Sequence, residues 1–127
     1  MTAPKKILIV DDDLASQQAL KLILEETPEK AFARHKEAHL ALVKGLSALG
    51  FEMLVKEPYR LPMLNAVRVP EDMAEVSVRR HLRDDHRIEI GAGLGPLAGK
   101  IWRIGLMGHT ARKENVEKFL TAFRSLM

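Results

Sequence analysis

Apolar residues along this chain fall into two periods, and the switches between them mark out strands and helices. Ile7 to Val10 is a short unbroken apolar run, the pattern of a strand covered on both faces. Acids follow at once, and Leu20, Ile23 and Leu24 then form one stripe of a helix over about Leu14 to Glu26 that Asp12 or Asp13 can cap. Thr27-Pro28 breaks that helix and starts the next, with threonine as N-cap and proline at the first position, where its missing donor costs nothing. The second helix runs to Leu49 with a stripe of Leu42, Leu46 and Leu49, and Gly50 is placed to end it in a left-handed conformation.

The period then shortens to two. Phe51 to Lys56 and Leu64 to Val69 read as a hairpin-like pair of strands, joined by Glu57 to Met63, whose two prolines cannot donate to a ladder. Pro70 stops the second strand. A helix over about Met73 to Asp85 places Val78 and Leu82 one turn apart, Arg87 to Ile90 reads as a short strand, and Ile101 to Met107 as the last strand. Thr110 is positioned to cap a final helix in which Val116, Phe119, Leu120 and Phe123 share one face. The whole predicts an α+β fold, a two-layer α/β sandwich with a mostly antiparallel sheet covered by helices on one face, plus an N-terminal βα unit. The N-terminal strand either pairs in parallel at an edge of that sheet or makes it mixed.

Between the last two strands lies Gly91-Ala-Gly-Leu-Gly-Pro-Leu-Ala-Gly-Lys100. It is no phosphate loop: Leu94 stands where the first glycine of a P-loop belongs, Ile101 follows Lys100 in place of Ser or Thr, and the segment leads into a strand, not a helix N-terminus. In that strand, alternation sends Trp102, Ile104 and Leu106 to one face and Ile101, Arg103, Gly105 and Met107 to the other. Arg103 is the leading site residue, because a guanidinium beside a side-chain-free Gly105 can meet a carboxylate with two parallel hydrogen bonds. The plainer reading is a solvated or ion-paired strand arginine.

Composition narrows the remaining chemistry. The chain has 127 residues, enough for one core, and no cysteine, which removes disulfides, thiolate metal sites and a cysteine nucleophile. Net charge is only +3, and Arg79, Arg80, Arg83 and Arg87 are interleaved with Asp84, Asp85 and Glu89, so no nucleic-acid partner is expected. No apolar run nears the ~20 residues of a membrane helix, so a soluble cytoplasmic chain without a membrane partner is expected. His35 and His39, four apart, could face zinc from one helix, although no third ligand is evident nearby.

Two resemblances bear on function. Residues 31–126 resemble the C-terminal small domain of class V, pyridoxal-phosphate-dependent aminotransferases of the alanine–glyoxylate and serine–pyruvate type. The resemblance rests on Arg34-His-Lys-Glu-Ala38, Asn65-Ala-Val-Arg-Val-Pro70, Ile88-Glu-Ile-Gly-Ala-Gly-Leu-Gly-Pro96, Trp102-Arg-Ile-Gly-Leu-Met-Gly-His109 and Glu114-Asn-Val116. It implies that Arg103 binds the substrate α-carboxylate and faces a large domain carrying the cofactor lysine, an aspartate for the pyridine nitrogen and a phosphate cup. No lysine ahead of the matched region stands in such a context, so no cofactor is expected on the isolated chain and no independent catalysis.

Residues 5–26, with Lys5-Lys-Ile-Leu-Ile-Val-Asp-Asp-Asp13, resemble the first strand and helix of a response-regulator receiver domain. That resemblance implies that Asp11 and Asp12 help hold magnesium, a hard cation that prefers carboxylates. No phosphoacceptor follows, since Phe51 to Lys56 leads into Glu57-Pro58, and capping a helix is the simpler role for Asp11 to Asp13. Together the two predict a receiver-like segment at 1–27 joined to a small-domain-like region at 28–127. Such a chain is an engineered or recombined chimera, or a truncated gene remnant. The alternatives are a magnesium-binding signalling module and a partial aminotransferase subunit that works with a partner chain. If the face around Arg103 lacks its large domain, Ile101, Met107 and parts of the glycine loop are exposed and favour self-association.

Overall fold

The computed structural model describes residues 26–127. In chain order these form helix α1 (Pro28–Ala48), strand β1 (Leu64–Arg68), helix α2 (Glu75–His86), strand β2 (Gly91–Ala92), strand β3 (Ile101–Gly105) and helix α3 (Lys113–Arg124). The strands make one antiparallel sheet in the order β1-β3-β2, with Val67 and Ala92 both opposite Trp102, and Ala66 and Gly91 both opposite Arg103. All three helices pack their apolar stripes on the Trp102 face. The expected α+β architecture is therefore observed. The strand expected at Ile7 to Val10 and the helix after it lie outside the described residues.

α1 forms as its sequence directs. The Thr27 hydroxyl accepts a hydrogen bond from the Lys30 amide at 3.3 Å, and Gly50 follows the helix at φ +88°, a conformation that a side chain would strain. Leu42 and Leu46 are fully buried. They meet Trp102 and Phe123, the largest fully buried side chains, inside an aromatic cluster in which Phe123 lies 4.8 Å from Phe51, 5.3 Å from Trp102 and 5.0 Å from Phe119. Burial of each such side chain stabilises the fold by about 1.5–3 kcal/mol.

Two expected strands differ, each because local hydrogen bonds take the backbone groups a regular element needs. The strand over Phe51 to Lys56 shrinks to one bridge, Met53 to Val67, flanked by bonds from the Leu54 amide to Ala66 and the Arg68 amide to Glu52. Beyond that point Arg60 Nε claims the Val55 carbonyl and the Tyr59 amide claims that of Lys56, so pairing stops. No strand forms over Arg87 to Ile90, because Arg87 takes a left-handed conformation at φ 56° and the amides of Arg87 and Ile88 close α2 on the carbonyls of Arg83 and Leu82. Pairing starts instead at Gly91.

Thr110 does not cap α3. Its hydroxyl accepts from the Met107 amide and donates to the Met107 carbonyl, closing a 3-10 turn over Gly108–Thr110, and α3 begins after Arg112. The expected apolar face of α3 is present, with Val116, Phe119 and Phe123 buried and Leu120 partly so.

Candidate functional site

β3 is the central strand, and its alternation sorts the two faces as its sequence pattern requires. Trp102, Ile104 and Leu106 are buried under the helices, while Arg103 projects from the opposite face and is half-buried. The next strand, β2, is an edge among the described strands. Because the Gly93 amide donates to the Ile101 carbonyl, the alternate residue Ala92 turns its own carbonyl away from β3, towards the open edge. Arg103 crosses the face of Gly91 and donates from Nε to that carbonyl at 2.7 Å. The guanidinium lies so close over Gly91 that an added Cβ would stand 3.2 Å from Nη2 and 3.4 Å from Cζ.

No described acid pairs with Arg103. Among the described residues the ion pairs are Arg34–Glu26, Arg68–Glu52, Arg79–Glu75, His81–Asp85, Arg83–Asp84 and Lys113–Glu37. With Nε spent on a neutral carbonyl, the terminal Nη1 and Nη2 edge has no hydrogen-bond partner among the described residues. That edge matches the two oxygens of a carboxylate. Gly105, on the same face, is exposed and has only the tip of Met107 near the place a Cβ would occupy, so nothing of its own blocks approach.

The surrounding face is less open than the sequence implied. Met107 is exposed as expected, but Ile101 is only 3% exposed, because the Gly93–Leu97 loop folds over it. Gly93 is needed for that closure, since a Cβ there would overlap the Leu97 carbonyl group. A separate cleft of about 380 Å³, lined by Ile88, Ile90, Ile104, Leu106 and Phe119 among others, opens on the helix-covered side of the sheet. Arg103 does not line it.

The histidines of α1 are committed to structure. His35 Nδ1 donates to the Ala31 carbonyl at 2.7 Å and its Nε2 accepts from the Gly108 amide at 3.2 Å, which leaves no lone pair for a metal. His39 is buried against Asn65 at 2.7 Å. Among the described residues no cluster of metal-binding side chains exists. Asp11 and Asp12 lie outside the described residues.

Sequence reasoning missed what Arg34 does. Its Nε donates to the Glu26 carboxylate at 2.8 Å, and its Nη1 donates to the carbonyls of Gly108 and Ala111 at 2.8 and 2.7 Å. Bonding to Arg34 holds the Glu26 carboxyl below its ordinary value of 4.5. Arg34 and His35 thus fasten the start of α1 to the turn that follows β3, a few residues from Arg103. The signal was the adjacency of two polar residues on the inward side of an otherwise patterned helix, but their partners lie more than 70 residues away.

A pyridoxal phosphate group would need a recessed lysine, an acid for the ring nitrogen and a phosphate cup. The described residues do not fit it: Lys30, Lys36, Lys44, Lys56, Lys100, Lys113 and Lys118 are all exposed.

No protein-family model matches the chain. It is 38% identical over 113 residues, 89% of its length, to the (S)-ureidoglycine–glyoxylate transaminase of Bacillus subtilis (strain 168), and covers 27% of that protein. Among solved structures it is similar to an alanine–glyoxylate aminotransferase from a Nostoc species, with a TM-score of 0.79 and 39% identity over 87% of this chain and 29% of that one. Pyridoxamine–pyruvate aminotransferase from Mesorhizobium loti follows at 0.77 and 32% identity, over 84% and 28%. The chain thus spans between a quarter and a third of the length of these aminotransferases. A matched stretch of 113 residues in a chain of 127 includes positions 15–113 wherever it starts. Most of the helix assigned to a receiver-like segment, and the junction expected near Thr27 to Arg34, therefore fall inside the aminotransferase match.

Proposed function

We propose that this chain is the substrate-carboxylate-binding part of an aminotransferase small domain, and that Arg103 is its anchor. One observation carries the reading: Arg103 is held by the Ala92 carbonyl across Gly91 with its terminal guanidinium edge unpaired by any described acid. The ligand class is a small 2-oxo or 2-amino acid, in keeping with the glyoxylate and pyruvate in the relatives' names. The cofactor that supplies imine chemistry belongs on a larger domain opposite this face, since the described lysines are not built to hold it. On this reading the chain binds a carboxylate and does not transaminate alone.

The test is a glyoxylate titration of the 127-residue chain followed by NMR of the arginine side chains. Saturable shifts at Arg103 that vanish in Arg103→Ala, with the fold unchanged, are expected. An unperturbed Arg103 at saturating glyoxylate would refute the anchor. Purified chain given pyridoxal phosphate, alanine and glyoxylate should form no pyruvate, and steady turnover would overturn the division of labour between domains.

A further inference from the structure

We propose that Gly91 is a positioning residue for Arg103, and that the site consequently takes a carboxylate end-on, through Nη1 and Nη2 alone. The inference rests on the carboxylate reading above for its ligand, but its geometric half stands by itself. A strand arginine normally leaves its sheet at a rotamer set by its own neighbours and sweeps a wide volume of solvent. Here two features of the adjacent strand remove that freedom.

The first is the bare Cα of Gly91. β2 sets Gly91 directly opposite Arg103, so the side chain must pass over it to reach the sheet edge. Any Cβ at this position would lie 3.2 Å from Nη2 and 3.4 Å from both Cζ and Nε, tight enough that the guanidinium would have to shift by a few tenths of an ångström. Glycine here is not serving an unusual backbone conformation, because its φ is not among the positive ones. The requirement is space for the guanidinium.

The second is the outward carbonyl of Ala92. Among the described strands β2 is at the edge and this oxygen has no ladder partner there, and Arg103 Nε satisfies it at 2.7 Å. An arginine can meet a carboxylate side-on through Nε and one Nη, or end-on through both Nη nitrogens. With Nε occupied, only the end-on mode remains, and the ligand is aimed along the guanidinium axis. A ligand bound this way is held in line with the guanidinium, which fixes orientation as well as charge.

The experiment uses the ¹⁵N-labelled 127-residue chain, with the Arg103 Nε–Hε resonance assigned by its loss in Arg103→Lys. Hε should exchange with water about tenfold more slowly than that of the exposed Arg80 or Arg124, as a charge-assisted hydrogen bond requires. Gly91→Val should abolish that slowing while the Trp102 indole and Val67 amide signals stay in place. Gly91→Ala, which asks the guanidinium to yield a few tenths of an ångström, should speed exchange by a smaller factor. It decides the matter if the valine variant does not fold. Unchanged Hε exchange in a folded Gly91 variant overturns the proposal. Glyoxylate should then move the Nη but not the Nε resonance of the parent chain and bind at least about tenfold more weakly to Gly91→Val. A slow Hε that Gly91→Val releases, with no response to glyoxylate, would uphold the positioning role and refute the carboxylate ligand instead.

Discussion

Asn65 carries the most exacting test of the core, because it is a fully polar side chain of β1 at 2% exposure, meeting His39 of α1. Its Nδ2 donates to the carbonyls of Pro62 and Ile104, each at 3.3 Å. Carbonyls only accept, so these bonds fix the amide and turn Oδ1 towards His39, whose Nδ1 at 2.7 Å must be the donor. Asn65→Ala strands that buried N–H, at a cost of about 1–3 kcal/mol, and gives up two longer bonds worth about 1 kcal/mol together. The expected loss is about 2–4 kcal/mol, a large share of the roughly 5–15 kcal/mol that keeps a domain of this size folded. His39→Leu should cost about 1–3 kcal/mol by leaving Oδ1 without its donor. The double variant removes donor and acceptor together, so its cost should fall short of the summed single costs by about 1–2 kcal/mol. Urea unfolding read by fluorescence measures all four proteins, since Trp102 is the only tryptophan and is fully buried. Costs that add within about 0.5 kcal/mol would show that the two side chains do not interact and would refute the assignment.

Other outcomes follow from the same geometry. Phe123→Ala should destabilise by about 3–5 kcal/mol, since it opens a cavity where three aromatic rings converge, and a loss under about 1 kcal/mol in the same unfolding assay would contradict that packing. Gly93→Ala should lift the glycine loop off Ile101, because its Cβ would lie 2.7 Å from the Leu97 carbonyl carbon; faster hydrogen exchange at the Gly93 amide reports it, and an unchanged rate would count against it. Because Arg34 lowers the Glu26 pKa in the folded state, the stability it contributes is fully present above the ordinary value of 4.5 and is lost as pH falls through the lowered value. Melting temperatures of the parent chain and Glu26→Gln, recorded from neutral to acidic pH, should therefore converge at the acid end; parallel curves would remove Glu26 from the linkage.

The sequence was legible wherever the deciding interaction is local. Thr27, Pro28 and Gly50 bound α1 because capping and left-handed termination act within a turn of the residue concerned. The period-two pattern around Trp102 chose the faces of β3, since a strand has only two. Those same residues placed Arg103 on the side away from the helices, and with it the candidate site. The failures share one cause, competition for backbone groups that spacing does not reveal. Phe51 to Lys56 has a strand's alternation, yet Arg60 and Tyr59 take the carbonyls it would pair; Thr110 has a capping residue's chemistry, yet Met107 takes its hydroxyl.

By itself, then, the amino-acid order determined the helices' apolar faces, the two-layer α+β class and the face of β3 from which Arg103 projects, because periodicity and local propensity operate over a few residues. Only the tertiary structure decided how that arginine is held. Its partner is a backbone oxygen of Ala92 that faces away from β3, and its bed is a glycine brought opposite it by strand register. Neither fact exists until residues 91 and 103 are neighbours, and Arg34's hold on Gly108 and Ala111 likewise waits for segments distant in the chain to meet.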